Sequence, residues 1–517
     1  MPTFYVENFG CRASQADGAA MERQFLEHGL ERAQVARDAE VVVLNTCTVT
    51  EGADKDARAS IRRLRRVNPD CRILVTGCYA QRAPEEVAAL PGVTWVVGNS
   101  HKHEAVAIAM SSSAFSPATG FVPLGQLAGD RAERIVVGDI FAHTELTAAP
   151  VFEAANERTR PNLKVQDGCD NRCSFCVIPS VRGLSRSMPG DRVIAEVQTL
   201  VEAGYREVVI SGINLGRWGR DLPAGRLPFV TGQPTSSDLA APGGEWSVVT
   251  ANRERRTTDE RSLTHLIRAI LKHTSLEKLR ISSVEPMDWS DDLIELVASS
   301  PRIAKHAHVP LQSGSDAVLR RMHRKYRPSH YREKILKIRK AMPHAAIGAD
   351  VMVGFPGESE AEFSETRRMI EELPFTYLHV FTYSARPGTP AADMAEQVPV
   401  ALARERNAEL RAIASAKRAT FLQSQVGRMV EAITLQSSAA DFTEALTDNY
   451  LKARVRPRKA PEGNISGRID ANRIDASVIE ANRVEANLWM HLRIESVEGE
   501  MLVGWPAMPV DMNMTVQ

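Results

Sequence analysis

The sequence predicts an α/β protein of about three domains. Three observations predict it. The chain has 517 residues, too many for one ordinary core. Short β-rich runs alternate with helical patterns in residues 3–75 and again in 161–383. From about residue 427 the pattern is β-rich to the end. Composition sets further bounds. With 43% hydrophobic and 25% charged residues, the chain is neither mainly disordered nor collagen-like. No run of 18 apolar residues is present, so no membrane span is expected. The start, MPTFYVENFGC, lacks a basic stretch followed by a long apolar one; no secretory signal is expected, and a cytoplasmic location is. Lys and Arg number 64 against 64 Asp and Glu, which excludes a global polyanion-binding surface but not a local one.

The N-terminal region reads strand (3–8), helix (14–28), strand (40–44), helix (54–67), strand (72–75), a doubly wound α/β pattern. Residues 161–383 carry six strand patterns, at 162–166, 207–213, 278–284, 307–311, 347–353 and 377–383. Helical segments between them include 191–203, 263–273, 316–325, 329–341 and 360–373. Six β/α units read as a parallel sheet. Residues 214–261, rich in Gly, Pro, Ser and Thr, read as a long loop between the second strand and its helix. The expected divisions are 1–110, a connector at 111–156, a parallel α/β unit at 157–395, a helical linker at 396–426 and a β-rich unit at 427–517. The near-repeat IDANRIDAS, IEANRVEAN within 462–488 is an insertion with no functional reading.

Seven cysteines in a chain with no export signal suit metal or redox chemistry better than disulfides. Cys169, Cys173 and Cys176 form a C-x3-C-x2-C run, and thiolates so close can converge on one centre. Soft thiolates suit iron–sulfur clusters, zinc or Cu(I). Structural zinc wants four closed ligands, and no fourth Cys or His follows nearby. A 4Fe–4S cluster on three thiolates leaves one iron open. Cys11, Cys47 and Cys78 each lie just past one of the three N-terminal strands, where C-terminal strand ends share one crevice, so these thiols could meet in space. They could equally be small core hydrophobes. Cys71 precedes its strand and should point to the opposite end.

The Cys169–Cys176 run, with Phe175 in the aromatic place, resembles the signature of the radical S-adenosylmethionine (SAM) superfamily. That resemblance implies a partial (β/α)6 barrel with its cluster loop at the C-terminal face. It also implies SAM on the open iron, cleaved reductively to a 5′-deoxyadenosyl radical. Asn8-Phe-Gly-Cys11, Asn45-Thr-Cys47-Thr-Val and Val75-Thr-Gly-Cys78 are similar to the N-terminal domain of the methylthiotransferases. Further stretches look like the same family: QDGCDNRCSFCVIPSVRGLSRS (166–187), ISSVEP (281–286), HVPLQSGS (308–315), GADVMVGFPGE (348–358) and HVFTYSARPGT (379–389). The resemblance covers roughly 1–100 and 155–430. It implies a second 4Fe–4S cluster on Cys11, Cys47 and Cys78, which carries or donates sulfur. It places Phe175 near the adenine, Ser211 and Gly212 near the SAM amino group, and Asp350 and Gly354 near the adenosyl part. Packing or turn geometry would account for each of these residues equally well.

The implied reaction replaces an unactivated C–H bond with C–S–CH3. The family has three branches, acting on threonylcarbamoyladenosine in tRNA, isopentenyladenosine in tRNA, or an aspartate of a small-subunit ribosomal protein. RMHRKY (321–326), VRGLSRS (181–187) and the 379–389 stretch look closest to the first, whose base lies 3′ of the anticodon. A different class, a non-catalytic iron–sulfur protein that binds RNA, fits poorly, because electron carriers favour four protein ligands. The family implies a tRNA anticodon stem-loop as partner and an electron donor such as flavodoxin or ferredoxin; a monomer is expected.

Local charge supports an RNA partner. Residues 320–340 carry ten Lys and Arg against one Glu, including Arg324 and Lys325. Arg62 and Arg65 fall on a basic helix face. Lys452, Arg454, Arg456 and Arg458 alternate with smaller residues, which puts four cations on one strand face. Each run by itself could be an ordinary solvated surface. The tail is similar in position to the small RNA-binding β-barrel (TRAM) domain of the methylthiotransferases.

Overall fold

The computed structural model describes residues 1–111, 134–143, 146, 160–223, 261–436, 442–456 and 485–507. Most of the near-repeat (up to residue 484) and Arg458 lie outside the described residues, as do most of the connector and residues 224–260 of the long loop.

The N-terminal unit is one parallel sheet. Its strands are β1 (Thr3–Asn8), β2 (Glu31–Arg32), β3 (Val41–Thr46), β4 (Arg72–Gly77), β5 (Val93–Gly98) and β6 (Ile135–Val136), in the order β2-β1-β3-β4-β5-β6. Every residue of β3 is buried, as expected for a strand covered on both faces. Helices Arg12–Glu27 and Ala105–Ser111 pack Met21, Phe25, Val106 and Ala109 on one face. Helix Glu51–Val67 packs Ala57, Ile61 and Leu64 on the other, its start capped by the Thr50 side chain. This is the expected doubly wound arrangement.

β1, β3 and β4 are immediate neighbours, so the residues after them line one sheet edge at the interstrand spacing of about 4.8 Å. Cys71 sits at the other end of β4 and is packed in the core with Ile61 and Leu64. Cys71→Ala should therefore cost on the order of 1 kcal/mol in packing and leave the iron content unchanged. Iron analysis showing the loss of a cluster would refute that structural role.

The central unit carries β7 (Asn162–Asp167), β8 (Arg186–Ser187), β9 (Glu207–Gly212), β10 (Lys278–Ile281), β11 (His306–His308), β12 (Ala346–Val353) and β13 (Tyr377–Thr382). β7, β9 and β10 are parallel, β11, β12 and β13 are parallel, and β8 is a short antiparallel edge on β7. The Leu279–Ile303 bridge and the hydrogen bond from Val284 N to His308 O (3.1 Å) join the two sheets. Six strands thus follow one another in chain order around an arc, a partial (β/α)6 barrel. Helices Gly190–Glu202, Leu263–His273, Asp291–Ser299, Pro328–Ala341 and Glu360–Glu372 cover it.

One expected helix is shorter than its sequence pattern suggests. The segment from Asp316 ends at Arg321, not residue 325, because His323 adopts a left-handed conformation (φ 56°) that stops the turn. Arg324 is thereby released inward. After helix Val400–Gln423, β14 (Met429–Thr434), β15 (Thr443–Thr447), β16 (Lys452–Val455), β17 (Trp489–Glu498) and β18 (Met501–Pro506) form a closed barrel in the order β14-β15-β16-β18-β17. Among the described residues, no helix is long and apolar enough to cross a membrane.

Candidate active site

The loop after β7 carries Cys169, Cys173 and Cys176 at the C-terminal mouth of the barrel. It is held from several sides: Ser174 N donates to Met322 O (3.1 Å), Ser174 Oγ to Arg321 O (2.7 Å), and Ala391 N to Ser174 O (2.9 Å). Asn171 N and Asn214 Nδ2 donate to Cys169 Sγ at 3.4 and 3.5 Å. Arg324 Nη1 donates to Cys173 Sγ at 3.3 Å, and its other nitrogen pairs with Glu285. Burial pushes the Cys176 thiol up to about 12. Such a thiol is protonated at neutral pH until a metal displaces the proton.

Cys11, at the start of helix Arg12–Glu27, and Cys47 and Cys78, past β3 and β4, form the second group. Burial, and then the neighbouring Cys78, push the Cys47 thiol up to about 12; Cys11 adds to the effect. Gly10 is there for close approach. It has φ 96°, and a Cβ on it would lie 2.7 Å from the Cys47 Cβ. Asn99 Nδ2 donates to Cys78 Sγ (3.5 Å).

Beside this group lies a buried charge network absent from the sequence reading. Lys102, Lys164 and Arg182 contact Asp17, and Lys164 and Arg182 also contact Asp167. Burial acts to raise Asp17, but the three cations outweigh it and bring the carboxyl down to about 2. Three cations against two carboxylates leave a positive surplus next to Cys11 and Cys78. A cluster core on three thiolates is net negative, so this surroundings suits one.

Cys11 of the second group and all three thiols of the first border one cavity of about 590 Å³, within the usual range for ligand sites. Its lining includes Cys11, Cys169, Cys173 and Cys176, together with Phe175, Ser211, Gly212 and Asp350. Ser211 Oγ and Asn214 Oδ1 are buried on this lining and find no partner among the described residues. Two unmet polar atoms beside an open thiolate set fit a polar, chelating ligand such as SAM. Gly354 is not on the lining. It turns the chain after β12 at φ 73° and approaches Ala403, with Glu358 accepting from its N–H (2.7 Å), so a backbone role accounts for the glycine. A larger hollow of about 930 Å³, lined by residues such as Arg339, Phe375 and Phe421, has no cysteine on its wall.

Residues 3–98 match the family model described as uncharacterized protein family UPF0004, and residues 163–370 match that of the radical SAM superfamily. The threonylcarbamoyladenosine tRNA methylthiotransferase MtaB of Bacillus subtilis is 36% identical, the match covering 87% of this chain and 90% of that one. The chain belongs to the radical SAM methylthiotransferases. The MtaB of Aquifex aeolicus is 33% identical (86% and 94% covered), and the tRNA-2-methylthio-N(6)-dimethylallyladenosine synthase of Acidothermus cellulolyticus is 32% identical (86% and 79%). Membership makes the protein an enzyme, not a passive iron–sulfur carrier, and implies a 4Fe–4S cluster and SAM.

The methylthiotransferase departs from its sequence reading in its basic residues. Arg324 is buried and engaged with Glu285 and Cys173, so it is not available at the surface for RNA. The 320–340 run is largely neutralised by acids from elsewhere: Arg321 pairs with Glu362, Arg332 with Glu372, Lys337 with Asp291, and Arg320 and Arg327 with Asp316. Lys325 remains exposed near Asn171 and His323. Arg62 and Arg65 lie late in a helix that starts beside Cys47 and runs away from the cavity. Lys452, Arg454 and Arg456 do share an outward face of β16, between buried Ala453 and Val455, but Arg454 (3.1 Å) and Arg456 (2.5 Å) are tied to Glu498.

The 379–389 stretch has a docking role that sequence alone did not reveal. Arg386 is buried against Asp54 and Thr48 of the N-terminal unit. Tyr450 of the C-terminal barrel reaches the cavity lining from far along the chain, and no sequence signal marked it.

Proposed function

We propose that this enzyme methylthiolates C2 of N6-threonylcarbamoyladenosine beside the tRNA anticodon. The carrying observation is the shared cavity: Cys11 of one thiol group and all three thiols of the other border the same hollow, so both can serve one substrate. Cys169, Cys173 and Cys176 hold the SAM-binding 4Fe–4S cluster, and Cys11, Cys47 and Cys78 hold a second. When bound, the first cluster with SAM supplies the radical that an unactivated aromatic C–H bond requires, and the second supplies sulfur.

The chain's own residues do the positioning. Asn214 and Ser211 offer their unmet oxygens to SAM, and Phe175 offers its ring. Arg324 places a fixed positive charge beside Cys173. Lys325 and the outward face of β16 take phosphates of the anticodon stem, and an exogenous flavodoxin- or ferredoxin-like donor supplies electrons. Relatives named for threonylcarbamoyladenosine, at 36% and 33% identity, favour that substituent. The Acidothermus relative, named for dimethylallyladenosine, favours the isopentenyl alternative.

Mass spectrometry of tRNA nucleosides from cells lacking the protein separates the two. Methylthio-threonylcarbamoyladenosine is expected to disappear and its unthiolated precursor to accumulate. If it persists while methylthio-isopentenyladenosine vanishes, the substituent is the other one.

A further inference from the structure

The cavity contains a cation that the protein itself leaves without an anion. Three guanidiniums border it: Arg12, Arg280 and Arg324. Arg280 is committed through Nε to Glu207 (2.6 Å) and through its other nitrogens to the carbonyls of Asp448 (3.1 Å) and Thr447 (3.3 Å). Arg324 is committed to Glu285 and Cys173. The two carboxylates on the lining are also taken, Glu285 by Arg324 and Asp350 by His308 Nε2 (3.2 Å). Arg12 differs. Its Nη2 donates to the Tyr450 hydroxyl (3.2 Å), and among the described residues no carboxylate pairs with it. A half-buried guanidinium facing a cavity with only a phenol oxygen gains most from a ligand that brings negative charge.

The wall around Arg12 is built to hold it there. Its carbonyl accepts from Asn162 Nδ2 of β7 (2.9 Å), which pins the residue between the N-terminal unit and the barrel. Tyr450 sits at φ 69°, a conformation that bulky residues rarely adopt without a constraint. That constraint is visible: the Arg280 guanidinium lies 5.2 Å over the Tyr450 ring, and the His306 ring is 4.8 Å away on centroids. The strained backbone and the ring contacts together fix where the hydroxyl meets Arg12.

We propose that Arg12, oriented by Tyr450, receives a carboxylate on the substrate: the α-carboxylate of an amino-acid group carried on N6 of the target adenosine. This rests on the function proposed above and names the residue that discriminates. An aliphatic isopentenyl group would cover Arg12 with hydrocarbon and strip its water without replacing it, which is selection by mismatch as well as by attraction. The site also makes the C-terminal barrel part of substrate recognition at the cavity itself, beyond any contact with phosphates.

The test compares anticodon stem-loops carrying threonylcarbamoyladenosine as the free acid or as its methyl ester, with the cluster-loaded full-length enzyme. For the wild type, esterification is expected to lower kcat/KM roughly 10- to 100-fold, mostly through KM. Arg12→Met is expected to lose that much on the acid and little on the ester, bringing the acid-to-ester ratio near one. Arg12→Gln, which keeps a polar stem without charge, gives the same readout if the methionine variant loses iron. Iron content and SAM cleavage are measured alongside. A wild-type acid-to-ester ratio retained by both variants, or an equal loss on acid and ester as a phosphate contact would give, overturns the inference while leaving the proposed function intact. A wild-type enzyme active only on isopentenyl stem-loops overturns the function itself.

Discussion

Alanine at Cys169, Cys173 or Cys176 is expected to abolish reductive cleavage of SAM, whereas alanine at Cys11, Cys47 or Cys78 is expected to spare cleavage and abolish methylthiolation. The two groups of thiols come from different units, one from the loop after β7, the other from the ends of β1, β3 and β4, and the second meets the shared cavity through Cys11. Each group has three thiols and needs all of them, since a cluster with two protein ligands is poorly held. The measurement is 5′-deoxyadenosine formed under anaerobic reduction, together with methylthiolated product and iron per chain. Equal loss of both activities in the Cys11, Cys47 and Cys78 variants would end the division of labour. Cleavage surviving in a Cys173 variant would refute the assignment of the barrel cluster.

Arg182→Met is expected to destabilise the folded protein by about 3 kcal/mol, because it removes the buried cation that Asp17 and Asp167 share and leaves them only Lys102 and Lys164. Arg182 donates to Asp167 (3.0 Å) within the barrel and to Asp17 (3.1 Å) and Ser14 (3.1 Å) in the N-terminal unit. It therefore ties the N-terminal unit to the barrel and helps to neutralise both acids. The pH dependence has a definite sign. The Asp17 carboxyl is held at about 2, below its ordinary 3.8, so it contributes stability above about pH 4 that is lost as the pH falls through 2. That contribution is about 2 kcal/mol. Removing Arg182 weakens the depression and moves acid unfolding to higher pH. Urea unfolding at pH 7 and an acid titration of the cluster-free chain check both statements. A change below about 1 kcal/mol, with the acid transition unmoved, would show that Lys102 and Lys164 hold the network without it.

The two candidate thiol groups were legible because their signal is local. Cys169, Cys173 and Cys176 need only short spacing, and Cys11, Cys47 and Cys78 need only a strand ending before each. The strand–helix alternation was legible for the same reason, and element ends shifted by a few residues at most. Misreadings concerned charge. Residues 320–340 read as a basic patch because their partners Glu285, Asp291, Glu362 and Glu372 lie elsewhere in the chain. Arg324 read as part of a surface helix because the left-handed turn at His323 has no marker in the residue pattern.

By itself, the sequence determined which residues carry the soft donors, which runs alternate as strand and helix, and hence the family chemistry. These follow from side-chain identity and from periods of two and about 3.6 residues, both properties of neighbours along the chain. Only the tertiary structure decided that β1, β3 and β4 are adjacent, so that three distant thiols share an edge. It also decided that Cys11 faces the same cavity as Cys169, Cys173 and Cys176, that Arg324 turns inward, and that Arg12 meets Tyr450 across 438 positions of chain. Strand order and charge pairing depend on which surfaces pack together, and no local period encodes that.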